Sequence, residues 1–269
     1  MVVIDRAEDF QIGRVVSRTF SALTANAVTF LILTAVLMTP VLVSTFYFTK
    51  GLVSLQTATA TDPRGAALAM ASFSQTMTTS LFSYLIIIVF TYILQAALVQ
   101  GTVTYLNGEK PSLANCLSAG FKSALPLIAL AILAYLGMVA GFVLLVVPGI
   151  ILAMMWSVVV PVFVVEHPGV FASFGRSRAL TKGHRGKIFL LVLLYVVIAF
   201  IIGLAVALPM GVSLTRPGAA NYSATFLILS WLTRVPLAAL AAVGVAAIYY
   251  ELRLVKEGVG PQQLAAAFD

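Results

Sequence analysis

The densest chemistry in the chain is Arg176-Ser-Arg-Ala-Leu-Thr-Lys-Gly-His-Arg-Gly-Lys187: five cations and one histidine in twelve positions, with no acid. It holds almost a third of the sixteen Lys and Arg and runs directly into an apolar stretch, Ile188 to Met210. Cations at this density serve a nucleic-acid patch, a catalytic strip, or the place where a chain leaves lipid for cytoplasm. Acid–base catalysis needs titratable groups gathered in a protected site. The nine acids are Asp5, Glu8, Asp9, Asp62, Glu109, Glu166, Glu251, Glu257 and Asp269, and none is deep in an apolar run, although Glu166 and Glu251 sit at run ends. His167 and His184 share one connection, which excludes an intramembrane H-E-x-x-H metal site. There is no paired-aspartate cluster, no G-x-S-x-G elbow and no phosphate-binding G-x-x-x-x-G-K-[ST] loop. Cys116 is single, so neither an intramolecular disulfide nor a cysteine metal cluster forms, and it reads as small apolar filler. The expectation is a non-enzymatic protein with no catalytic residues, no metal and no cofactor.

The elements that position these residues follow from composition. Of 269 residues, 61% are hydrophobic and only 9% charged, and the mean hydropathy is +1.06. A soluble domain carries roughly 25% charged residues. Most of this chain therefore faces lipid. The net charge of +7 is explained by cations at span ends facing anionic headgroups, so no nucleic-acid partner is expected. Asp5, Arg6, Glu8 and Asp9 at the N-terminus do not make a cleavable signal, and a retained first span is expected.

A bilayer core about 30 Å thick needs about 20 apolar residues per helix. Six runs qualify: 27–49, 81–106, 124–147, 150–165, 188–210 and 224–250. They are continuous rather than alternating, which selects helices over a barrel. The fold class is all-α, one integral membrane domain over 1–269 with six transmembrane helices. With the N-terminus inside, twelve Lys and Arg fall on the cytoplasmic side against Lys50, Arg64 and Arg216 outside. That bias predicts a bacterial inner-membrane protein with both termini cytoplasmic.

Short amphipathic segments precede the odd-numbered spans. Ile12, Val15, Val16, Thr19, Phe20 and Leu23 share one helical face and Arg14, Ser17, Arg18 and Ser21 the other. Leu113, Leu117, Phe121 and Lys122 precede span three. Val170, Phe171, Phe174 and Leu180 precede span five, with the basic cluster. Such helices lie in the cytoplasmic interface with cations near the headgroups. Glu109, Glu166 and Glu257 each open a Gly/Pro turn followed by a short helix, which suggests three helix-hairpin repeats.

Two places break the pattern. Val146-Val-Pro-Gly-Ile150 joins spans three and four with almost no loop, a tight hairpin. Arg234 sits about ten residues into the sixth run, at mid-depth by rise per residue, where a lone charge costs a few kcal/mol or more. The preferred alternative splits the run: Tyr222–Leu232 lies at the outer interface and the span starts near Thr233, with Pro236 in its first turn.

Pro148-Gly149, Pro161-Val-Phe-Val-Val-Glu166, Arg176-Ser-Arg-Ala-Leu-Thr-Lys-Gly183 and Tyr249-Tyr-Glu-Leu-Arg253 with Lys256-Glu-Gly258 together resemble a bacterial family. It is the membrane domain of glycerophosphoryl diester phosphodiesterases and its stand-alone relatives. The likeness is sharp in 148–189 and 247–258. It implies the membrane domain without the phosphodiesterase barrel, and no catalytic role is carried over.

The function expected first is binding of anionic lipid headgroups on the cytoplasmic side, or of a partner protein. The residues for this are Arg14, Arg18, Arg176, Arg178, Lys182, Arg185 and Lys187, the last five on one face. Glu251 and Arg253 are expected as structural ion-pair residues, Glu251 meeting Arg176 or Arg178. The alternative is a small-solute or lipid transporter with a cavity between repeats and Arg234 as intramembrane anion contact. A deep polar cavity containing Arg234 favours the transporter, and a closed apolar interior favours the first reading.

Overall fold

The computed structural model describes residues 9–59, 65–208 and 224–258. Arg6, Arg64, Pro209, Arg216 and the helix expected after Pro261 lie outside them. The described chain is helical: α1 (Ile12–Ala25), α2 (Ala27–Thr59), α3 (Gly65–Leu106), α4 (Leu113–Lys122), α5 (Ala124–Leu144), α6 (Val146–Met155), α7 (Val159–Glu166), α8 (Val170–Thr181), α9 (Arg185–Ala207) and α10 (Ala224–Glu257). Six stretches are long and apolar enough to cross a membrane: Ala27–Phe48, Phe73–Leu106, Ala124–Val143, Val146–Glu166, Arg185–Ala207 and Leu227–Glu257. The protein is an all-α, multi-pass membrane fold. A short helix followed by two long passes occurs three times in chain order, beginning at α1, α4 and α8.

The centre is α2, α3 and α10. Phe30, Leu33 and Leu37 of α2 pack on Leu94, Ala97 and Leu98 of α3 and on Val235, Ala239 and Val243 of α10. Lipid offers apolar side chains no reason to prefer each other, so close backbone approach and dispersion hold such a core. Small residues supply the approach. Ala239, Ala242 and Ala246 are buried on α10 at spacings of about one helical turn. A side chain at Gly120 of α4 would meet the Ile93 carbonyl oxygen at 2.8 Å, so only glycine lets α4 lie this close to α3.

The fourth span is not one helix. It breaks at Trp156–Val158 between α6 and α7. Pro161 is the third residue of α7; its ring excludes a carbonyl one turn back, while its missing N–H costs nothing in a first turn. The α5–α6 hairpin turns on one extended residue, Leu145 (φ −169°, ψ 149°). A Cβ on Gly149 would stand 2.6 Å from the Phe142 ring, so the glycine is what lets the two arms close.

The sixth run does not split. α10 runs unbroken from Ala224 to Glu257 with Pro236 inside it, as spans tolerate. Arg234 is therefore part of a crossing helix, not of an interfacial one. In contrast to α10, α9 is almost wholly uncovered by the rest of the chain.

Candidate functional site

At the end of the bundle where α1, α4 and α8 gather, acids and cations form three knots. The first joins α1 to α10. Arg14 donates to Glu251 Oε1 at 2.8 Å, Arg18 donates to Glu251 Oε2, and the Arg18 guanidinium lies 5.3 Å from the Tyr250 ring centroid. The Glu251 side chain is 0% exposed while the arginines keep about a quarter of theirs, 28% and 26%. Val15, Thr19 and Ala22 bury the adjacent stripe of α1. The α1 cations thus face protein rather than headgroups.

The second knot joins α7, α8 and α10. Arg176 Nε donates to Glu166 Oε2 at 2.7 Å, and Arg176 also donates to Glu257. Arg253 Nε donates to Glu257 Oε2 at 3.0 Å, and the Tyr249 hydroxyl to Glu166 Oε1 at 2.9 Å. The Glu166 carboxylate, helped by Glu257, holds the Arg176 guanidinium above its usual proton affinity. In the third, Lys187 pairs with Asp9 and donates to the Phe10 carbonyl at 2.8 Å. Its hydrogen bond holds the exposed Asp9 carboxyl below the usual carboxylate range. His184 stacks on Phe10. Burial, with the Lys256 and Lys187 charges, lowers its pKa despite Asp9.

Several of the motif residues, Glu166, Arg176, Tyr249, Glu251, Arg253 and Glu257, meet in these knots. Ser177 Oγ donates to the Met155 carbonyl at 2.7 Å, and Thr181 Oγ1 approaches the same oxygen at 3.4 Å. Met155 ends α6, so these hydroxyls satisfy a carbonyl freed by the break in the fourth span. No nucleophile stands beside a base in this network. Among the described residues no three of His, Cys, Asp and Glu gather to hold a metal ion.

Several expectations are corrected. Glu251 pairs with Arg14 and Arg18, not with the segment before α9, because α1 rather than α8 packs along that side of α10. Arg253 pairs with Glu257 instead of acting with Glu251. The five cations of 176–187 do not form one face: α8 stops at Thr181 and Gly183 turns the chain at φ 90°. Arg176 and Lys187 are half-buried and paired with acids, while Arg178 and Lys182 are exposed. Arg178, Lys182 and Arg185 have no ion-pair partner among the described residues, and Arg185 Nε is buried without an acceptor. Val170 and Phe174 pack on the core, Phe174 edge-on to Trp156 at 5.1 Å. Of that aromatic set only Phe171 points away, 79% exposed.

A cavity lies elsewhere, between α2, α3, α9 and α10, with a volume of about 660 Å³. Met38, Ile87, Leu94 and Val206 give it apolar walls, and Arg234, Gln95, Thr91, Ser230 and Thr233 place polar groups among them. No acid lines it. Arg234 and Gln95 have no hydrogen-bond or ion-pair partner among the described residues. Two cross-helix bonds tie the Arg234 stretch of α10 to its neighbours. Trp231 Nε1 donates to the Met38 carbonyl at 3.2 Å, and Met38 is eleven residues, ~17 Å, into α2. The Tyr195 hydroxyl donates to the Leu237 carbonyl at 3.3 Å, and Tyr195 is ten residues, ~15 Å, into α9. Arg234 lies between Trp231 and Leu237, within this tied stretch of α10. The sequence pointed to this arginine but not to Gln95 and Thr91. Their polarity inside an otherwise apolar run was the available signal.

Comparison of the chain with family models, with curated proteins and with solved structures returns no match.

Proposed function

We propose that this protein binds an anionic ligand within the membrane and moves it between leaflets or across the bilayer, through the cavity that Arg234 lines. The observation that carries this is a cation and an amide, both without partners among the described residues, lining one space of ligand size within the spanning helices. Pockets for small molecules run from about 300 to 1,000 Å³ and are mostly apolar with a few converging polar groups. A charge within a span costs several kcal/mol unless something complements it, which makes an intramembrane arginine a binding residue by default. Every cation in the three knots has a partner in the chain, and this one has none among the described residues. The walls supply no acid, so the complement comes from a ligand. The test is uptake of labelled anions into liposomes containing the protein, compared with an Arg234→Gln variant. Anion flux that falls at least about tenfold supports the reading; equal flux in both rejects it.

A second reading concerns the charged end. Arg178, Lys182 and Arg185 around the α8–α9 turn remain without acids, and Lys256 joins them by donating to the Lys182 carbonyl at 2.8 Å. We infer that this corner holds anionic headgroups or a partner's acidic surface, each cation contributing about 1 kcal/mol near a charged leaflet, less the screening by salt. Liposome flotation should show the preference for phosphatidylglycerol over phosphatidylcholine weakened by Arg178→Ala, Lys182→Ala, Arg185→Ala together. An unchanged preference leaves these cations as a topology signal only.

Both readings place the charged end in the cytoplasm of a bacterial inner membrane. A cysteine at Ala179, which is exposed, should then label from inside, and one at Ala60 from outside. Cys116 is buried and its thiol pKa is raised by that burial, so it gives little background. Labelling of both sites from one side would overturn the orientation. Kinship with the phosphodiesterase membrane domain rests on the quoted motifs and adds a fold expectation to the proposal, with no activity.

A further inference from the structure

We propose that the ligand held at Arg234 is the head of an acyl-chain lipid whose tail lies in a second cavity between α1, α9 and α10. This rests on the reading of Arg234 as an anion contact and specifies what carries the anion. The second cavity has a volume of about 270 Å³ and is lined by Val16, Phe20, Leu191, Leu194, Ile198 and Leu240 among others. Tyr195, Ala241 and Val245 line both cavities, so the two spaces adjoin along one stretch of α9 and α10.

The division of polarity is what selects a lipid. The only polar side chains in the second cavity are Thr19 and Tyr195, and both are satisfied, Thr19 by the Val15 carbonyl at 2.7 Å and Tyr195 by the Leu237 carbonyl at 3.3 Å. Nothing there calls for water, and a space lined this way stays dry or takes an apolar guest. The first cavity offers a cation and an amide with no partners. A small hydrophilic anion has no use for the second space, and an uncharged hydrocarbon has none for Arg234. A molecule with an anionic head and a hydrocarbon tail uses both.

The route is lateral. α9 is almost uncovered by the rest of the chain, and Phe20 at the mouth of the slot is 54% exposed. A tail can therefore enter from the bilayer between α1 and α9 without leaving hydrocarbon. Gly244 forms part of the slot, and a Cβ there would meet only Thr19 Cγ2, at 3.9 Å. A large side chain at this position fills the slot without touching the Arg234 cavity, which Gly244 does not line.

The experiment measures binding of three probes to the purified full chain in detergent: palmitate, butyrate and hexadecanol. Palmitate should bind at least about tenfold tighter than either of the others. Arg234→Gln should bring palmitate down to the hexadecanol level. Gly244→Phe should bring it down to the butyrate level and leave the Arg234-dependent binding of butyrate in place. If Gly244→Phe leaves palmitate untouched while Arg234→Gln removes it, the tail site is wrong and the anion site stands. If Arg234→Gln changes no probe, the anion site itself fails. Photo-crosslinking of a diazirine-labelled palmitate to the unmodified protein guards against a misfolded variant. Adducts on Leu194, Ile198 or Leu240 support the slot, and adducts confined to the outer face of α9 overturn it.

Discussion

Replacing Arg14 and Arg18 together by alanine should destabilise the protein by about 3–5 kcal/mol, the cost of leaving one member of a buried ion pair alone. The asymmetry of burial sets the direction. Glu251 is fully enclosed, whereas each arginine keeps about a quarter of its surface and can turn outward. Removing Glu251 therefore costs less than removing both arginines, because two partly exposed cations find solvent or headgroups. Removing all three charges with Glu251→Leu should recover most of the loss, as apolar replacement of buried pairs does. Unfolding of the purified protein by sodium dodecyl sulfate titration reads each variant. A neutral double variant would mean that the Glu251 knot does not hold α1 on α10. The same result would leave the α1 cations free for headgroups.

The parts of this fold that a reader of the sequence can see are those fixed by composition. Six apolar runs appear as six helical stretches long and apolar enough to cross, because hydrocarbon admits few backbones that satisfy their own hydrogen bonds. Ends are less legible. Expected starts at 81 and 188 become Phe73 and Arg185, since helices persist past the apolar stretch wherever backbone bonds remain available. The split in the fourth span was signalled by Pro161, yet Pro236 carries the same signal inside an unbroken helix. The difference is tertiary. At the fourth span Ser177 and Thr181 reach from α8 to the carbonyl that the break frees, and no local pattern announces that partner 22 and 26 residues away. Charge pairing was the least legible part. Glu251 meets Arg14 and Arg18 across 237 and 233 residues, and the count of acids said only that partners were scarce. The same scarcity made Arg234 conspicuous, although the cavity it lines could be read only from the packing of α10 on α2, α3 and α9.

Arg234→Leu should make the protein more stable, by about 2–3 kcal/mol, and abolish anion binding. An arginine near the centre of a membrane helix costs about 2.5–3.5 kcal/mol on insertion scales, while leucine is mildly favourable. Part of the cost is relieved where the guanidinium, which is exposed and lines the cavity, can reach water or polar groups. The expected gain is therefore toward the lower end of that difference. Structural arginines behave oppositely: those in the three knots cross-link helices, and their loss leaves carboxylates stranded. Arg234 has no carboxylate to strand, and Gln95 and Thr91 beside it are not bonded to it. A residue that lowers stability and supports no fold contact persists where activity needs it, the usual trade between stability and function. Denaturant unfolding of Arg234→Leu beside its anion uptake separates the cases. Higher stability with lost uptake assigns Arg234 to the ligand. Lower stability would show that it holds helices together through contacts of its own, and the transport reading would lose its central observation.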